Sequence, residues 1–163
     1  MSPLMPDTPM LDHYRRLAQD TTIDGTTLLS TDYFNHFNEV IMLLSMVGDM
    51  PEMLDDIRAW RPLTYAEHFA RSGLGIAPLA AECYAHVPAE YKVPFDATIA
   101  ELDATIAEAV AALETSTDDP ALFSHLAGEY WGRLQALVDR GGAIVHGMAP
   151  CSAMDQDAID AMF

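Results

Sequence analysis

The chain is short of positive charge: 8 Lys and Arg stand against 25 Asp and Glu, and the formal net charge over its 163 residues is −17. Such a field repels phosphate backbones and anionic lipid headgroups, so nucleic-acid and membrane functions would work against the whole molecule, whereas basic partners or metal cations are favoured. Cysteine is scarce too. Cys83 and Cys151 share no short spacing, and they read as reduced thiols of a cytosolic protein. No apolar run reaches the roughly 18–20 residues that span a bilayer, and Met1-Ser2-Pro3-Leu4-Met5-Pro6 lacks the basic and apolar regions of a signal peptide. A soluble cytoplasmic protein is the expectation. Catalytic signatures are equally thin, because no Gly-x-Ser-x-Gly or phosphate loop occurs and Gly73-x-Gly75 lacks a preceding strand and a further glycine. The expectation leans away from an enzyme.

Half of the chain is hydrophobic, enough for one sizeable core, and its apolar residues recur at helical spacing. No segment alternates with a period of two, so strands are not expected. Leu11, Tyr14, Leu17 and Ala18 mark a first helix after Thr8-Pro9, broken by Ile23-Asp24-Gly25-Thr26. A central helix over about 31–47 carries Phe34, Phe37, Val40, Ile41, Leu44 and Val47 on one stripe. Beyond Glu39 it is apolar all round, which predicts that its second half is enclosed by other helices. Asp49-Met50-Pro51-Glu52 and Thr64-Tyr65-Ala66-Glu67 both have the form of a capping box opening a short helix, and Pro78 opens another that closes at Val87-Pro88.

The most regular stretch follows. Phe95, Ile99, Leu102, Ile106, Ala109 and Leu113 step 4-3-4-3-4, and beyond Thr117-Asp118-Asp119-Pro120 the series Phe123, Ala127, Tyr130, Leu134 and Leu137 steps 4-3-4-3. Two such seams joined by a short loop predict an antiparallel hairpin over about 95–140. The fold class is therefore all-α: a helical bundle with this hairpin, the buried central helix and short intervening helices, in one domain over 1–147. The hairpin is also a surface through which the chain could form a homo-oligomer. Residues 148–163 read as a flexible linker and an acidic peptide.

Six His among many carboxylates raise the question of a metal, since His and Glu one helical turn apart can chelate one ion. Three pairs have that spacing: His36 with Glu39, Glu82 with His86, and His125 with Glu129. None matches the Glu-x-x-His pattern of ferritin-like di-iron proteins, and no His-x-x-x-His is present. The strongest is His36 with Glu39, within a polar stripe of Asp32, Asn35, His36 and Glu39. The stripe is either a pocket rim or the place where the helix enters the core. His125 and Glu129 share a face with Gly128, Gly132 and Gln135 that another helix could approach closely, and Glu129 is expected to pair with Arg133. No cofactor is required by any of this; a metal ion at His36 and Glu39 is the alternative.

The end of the chain, Met154-Asp155-Gln156-Asp157-Ala158-Ile159-Asp160-Ala161-Met162-Phe163, is an acidic peptide with apolar anchors. Wound as a helix it sets Ile159, Met162 and Phe163 at i, i+3 and i+4 as one apolar edge, leaving Asp155, Asp157 and Asp160 on the remaining surface. A tail with no interaction role has no use for that edge. The spelling Asp-Gln-Asp-x-Ile-Asp-x-Met-Phe resembles the short peptides with which flagellar motor switch proteins and the chemotaxis phosphatase hold the chemotaxis response regulator. The resemblance covers about a tenth of the chain, and Asp155 stands where those peptides usually carry Ser. It implies a response-regulator-like protein partner bound by Asp155, Gln156, Asp157, Ile159, Asp160, Met162 and Phe163, and a helical adaptor role in bacterial chemotaxis or motility signalling. It does not imply the phosphatase activity, because no acidic residue stands four before Gln19, Gln135 or Gln156, and no Glu stands three before an Asn.

Overall fold

A computed structural model describes residues 8–148, and within them seven α-helices occur with no strand. These are α1 (Thr8–Ala18), α2 (Phe34–Val47), α3 (Leu54–Ala59), α4 (Tyr65–Ser72), α5 (Ala77–Tyr84), α6 (Ala89–Glu114) and α7 (Pro120–Val145). The all-α architecture is that expected from the spacing of apolar residues. α6 and α7 form the antiparallel hairpin, with Phe95, Leu102, Ile106, Ala109 and Leu113 facing Phe123, Ala127, Tyr130, Leu134 and Leu137 in the core. α6 begins six residues ahead of its seam and α7 ends eight residues past its own. Asp119 caps α7 by accepting from the Leu122 amide, 3.1 Å. α6 begins ahead of Pro94, which forfeits only one helical hydrogen bond near the helix start. α7 ends in a Schellman turn: Gly147 takes φ +93°, its amide reaches the Ile144 carbonyl (3.0 Å), and the Met148 amide reaches that of Ala143 (2.8 Å).

α2 lies along α7. Phe34 packs where Gly141 lacks a side chain, and the far end of α2 brings Gly48 against Ser124. The buried stripe of α2 is Phe34, Phe37, Val40, Ile41, Leu44 and Val47, as its periodicity requires. Its second half is not enclosed, however: Met42 is 58% exposed, Ser45 is in solvent, and Leu43 and Met46 are half-covered. Helices pack on only part of its circumference, and the apolar side chains outside the stripe stay at the surface.

The two capping boxes part company. At α4 the box forms, with the Thr64 hydroxyl accepting from the Glu67 amide (3.1 Å) and the Glu67 carboxylate accepting from the Thr64 amide (2.8 Å). At 49–52 it does not. The Asp49 and Met50 amides are still hydrogen-bonded to the Met46 carbonyl at the end of α2, so Asp49 is not free to cap, and Pro51 opens a 3-10 turn (Pro51–Met53) instead.

Between α1 and α2 the chain does more than break a helix. Ile23, Thr27, Leu28, Leu29 and Ser30 are each no more than 3% exposed. The Asp24 carboxylate accepts from the Thr26 and Thr27 amides, the Thr27 hydroxyl donates to the Val145 carbonyl (2.6 Å), and the Ser30 amide donates to the Tyr65 hydroxyl (2.9 Å). This buried loop ties the end of α7 to the start of α4. α1 attaches beside it, through Tyr14 stacked on His86 with ring centroids 4.6 Å apart.

Candidate functional site

The polar stripe of α2 does not converge on a pocket. Asp32 accepts from the Thr22 hydroxyl (2.7 Å), while Asn35 and Glu39 project into solvent. His36 lies under Trp60, stacked at 4.6 Å and 24°. The His36 Nε2 is 2.6 Å from the Arg61 carbonyl, and because a carbonyl only accepts, that nitrogen carries the proton. The Trp60 indole N–H in turn donates to the His36 carbonyl at 2.9 Å. The remaining ring nitrogen, Nδ1, stands 3.8 Å from a Glu39 carboxylate oxygen. His36 thus pins the α3–α4 connection onto α2, and among the described residues no three His, Cys, Asp or Glu side chains come together as a metal would need.

The other two pairs are also local. His125 and Glu129 meet at 3.8 Å with both side chains largely in water, and His86 is taken up by Tyr14. Arg133 does not pair with Glu129: it crosses the hairpin to Glu108 at 2.7 Å, which also accepts from the Tyr130 hydroxyl at 2.8 Å. That two-donor grip holds the Glu108 carboxyl below the ordinary Glu range. Gly128 and Gly132 have open space where a side chain would stand, so no helix of the described chain uses that face. The tail residues Asp155, Gln156, Asp157, Ile159, Asp160, Met162 and Phe163 lie outside the described residues.

The feature that concentrates chemistry was not singled out by sequence spacing. A cavity of about 480 Å³ opens between the α3–α4 connection, α4, the end of α5 and the first half of α6. Its walls are apolar and aromatic: Tyr33, Tyr65 and Phe95 are buried, with Ile99 and Leu63 beside them. Aromatic packing sets these walls, since Tyr65 stacks on Tyr84 at 4.9 Å and meets Tyr33 and Phe95 edge-on at 5.3 and 5.9 Å. Tyr84 also carries the Lys92 ammonium 4.5 Å from its ring centroid.

Every charged group lining this cavity is a carboxylate: Glu67, Asp96 and Asp103. Two are already engaged. Glu67 closes the α4 capping box, and Asp96 accepts the hydroxyl proton of Tyr84. Asp103 differs. Its Oδ1 is withdrawn from solvent and has no hydrogen-bond partner among the described residues. Burial pushes the Asp103 carboxyl above the ordinary Asp range, and only the nearby His36 opposes that shift. Burial likewise raises the Tyr33 hydroxyl, which donates to the Leu63 carbonyl and senses the fields of Asp103, Asp96 and Glu67. At neutral pH the tyrosines are therefore uncharged, and the charged residues of the lining itself are carboxylates, with the Lys92 ammonium beside them on the Tyr84 ring.

A sequence signal for this site does exist. Asp96 and Asp103 stand seven apart on α6, immediately after the seam residues Phe95 and Leu102, so both flank the apolar stripe on one side. What periodicity does not supply is the opposite wall, which comes from α4, α5 and the turn ahead of α2. No protein-family profile matches the chain, and no curated protein or solved structure matches it either.

Proposed function

We propose that the chain is an interaction protein of the cytoplasm, a helical adaptor that docks a response-regulator-like partner in chemotaxis or motility signalling through residues 155–163. The observation that carries this reading is the tail itself, where Ile159, Met162 and Phe163 fall at i, i+3 and i+4 among acidic residues. The body supports it in one respect. Residues 18–145 supply a continuous core, and α7 stops at a Schellman turn followed by Pro150, a residue poorly suited to continuing the helix. On this reading the tail's apolar edge meets a groove on another protein.

Titration of a 148–163 peptide against chemotaxis response regulators of the same organism tests the reading. Ile159→Ala and Phe163→Ala should each cost about 1–3 kcal/mol, as central interface anchors do. Replacement of Asp155, Asp157 and Asp160 by Asn should mainly slow association and flatten its salt dependence. Equal binding by the native and Phe163→Ala peptides, or none by either, removes it. The alternative, a metal on His36 and Glu39, has two donors 3.8 Å apart and no third among the described residues. Elemental analysis of untagged protein, with His36→Ala as control, decides that point.

A further inference from the structure

We infer that the groove between the second half of α2 and the first half of α7 seats a second copy of this chain, packed face to face about a twofold axis with Met42 and Trp131 near its centre. This goes beyond the docking reading and stands independently of it, because the groove and the tail involve different residues.

The groove arises from the antiparallel pairing of the two helices. Phe34 lies against Gly141 and Gly48 against Ser124, so α2 and α7 run in opposite directions and Met42 stands level with Trp131. An open cleft of about 340 Å³ lies between them, with Ser45, Gly48, Ser124 and Gly128 in its lining. Asn38, Met42, Ser45 and Asp49 form one stripe of α2, and Ser124, Gly128, Trp131 and Gln135 repeat the same i, i+4, i+7, i+11 spacing on α7. Met42 is 58% exposed and Trp131 is 41% exposed, and a side chain added at Gly128 or Gly132 would meet nothing. Among the described residues nothing covers these two large apolar side chains, and the small residues beside them let another helix come close.

Charge identifies the occupant. The chain carries 25 Asp and Glu, yet in the two stripes only Asp49, at one end, is charged. Depletion of charge around an exposed Trp and Met is the composition of an interface centre rather than of ordinary surface. A basic partner would find little to pair with there and stronger attraction elsewhere on the molecule. For a second copy the lack of charge is a requirement. Two chains of net charge −17 repel each other, and a twofold axis sets residues near their own equivalents, so a carboxylate at the centre would face a carboxylate. Crossed at roughly 50°, the commonest angle of helix packing, the two copies keep Asp49 and Asp139, at opposite ends of the face, away from the axis. The face covers about three turns of each helix, roughly 20 Å by 20 Å, which is small for a specific interface, so monomer and dimer exchange.

Sedimentation velocity of the full chain across about 2–500 µM, a range that brackets a weak interface, provides the test. The expectation is a reversible, concentration-dependent shift from one chain mass to two. Raising NaCl from about 0.02 to 0.3 M should tighten the dimer about three-fold or more, because screening relieves the repulsion between like-charged chains, whereas an interface of ion pairs would loosen. Gly128→Gln with Gly132→Gln meets open space within one chain and removes two helix-weakening glycines, so this variant should melt no lower than the native protein. It should nevertheless weaken the dimer about ten-fold or more, as should Trp131→Ala, while Val93→Gln, at an exposed apolar position of α6, should change it less than about two-fold. Ile159→Ala with Phe163→Ala should leave the dimer intact, which separates this face from the tail. A monomer at every concentration, a dimer that loosens with salt, or one that survives the double glycine replacement would each overturn the assignment, and loss of the dimer in the tail variant would overturn it in favour of the tail as occupant.

Discussion

The α6–α7 hairpin and the loop that joins α1 to α2 are buried to the same degree by opposite means. In the hairpin, burial comes from repetition: an apolar residue every three or four positions closes the seam, and the polar contacts across it, Arg133 with Glu108 and Arg140 with Glu101, are exposed. Exposed pairs of this kind contribute little. In the loop, five residues between Ile23 and Ser30 are buried without any period, and backbone groups in the interior are satisfied one at a time. Leu28 even takes φ +65°, a left-handed conformation that costs a branched-chain residue roughly 1–2 kcal/mol and persists because its side chain is fully enclosed. The hairpin is specified by many similar contacts, the loop by a few that have no substitute.

That contrast is open to mutation. The largest effect belongs to the seam, where Leu134→Ala leaves a cavity at a fully buried position and should cost about 2–5 kcal/mol in urea unfolding. A loss below about 1 kcal/mol would mean that the hairpin is loosely packed. Next comes Thr27→Val, which keeps volume but strips the Val145 carbonyl of its buried donor. It should cost about 1–3 kcal/mol, and an unchanged midpoint would show that the loop's hydrogen bonds are replaceable after all.

Neighbouring glycines give the smallest and most discriminating test. A methyl group at Gly141 would clash with the Phe34 ring, so Gly141→Ala should destabilise by about 1–3 kcal/mol. At Gly142 nothing lies within 4 Å, and Gly142→Ala should gain about 0.5–1 kcal/mol from the stiffer unfolded chain. Equal effects at the two positions would contradict the close approach of α2 to α7.

Legibility followed the same division. Where α2 buries one stripe, Phe34 through Val47, spacing alone identified the buried residues; in α6 it identified Phe95, Leu102, Ile106, Ala109 and Leu113, but Ile99 is only partly buried and Thr98 and Thr105 are buried beside the seam. Local chemistry was legible when its partners were three residues apart and free, as for Thr64 and Glu67, but not at Asp49, whose backbone the preceding helix had already claimed. Met42 shows another limit, because an apolar helix face can remain bare when no further helix among the described residues covers it. The cavity escaped for a related reason. Two of its three carboxylates lie one heptad apart on α6, yet the wall opposite them is assembled from residues up to 70 positions away and visible only once Tyr33 and Tyr65 are folded against Phe95.

Cys83 turns the packing of α5 into a clock. Its thiol is fully enclosed, and burial, aided by the negative charge of Glu82, lifts its pKa to about 11, so alkylation in the native state must wait for α5 to open. In a Cys151→Ser background the labelling rate then measures the equilibrium between docked and undocked α5, provided reclosing outpaces the reagent. The next residue, Tyr84, belongs to the cavity wall, which places the chronometer one peptide bond from the site. A ligand that binds only the closed form slows such a reaction by the factor one plus its concentration over its dissociation constant. Affinity could therefore be read from the survival time of a single sulfur atom.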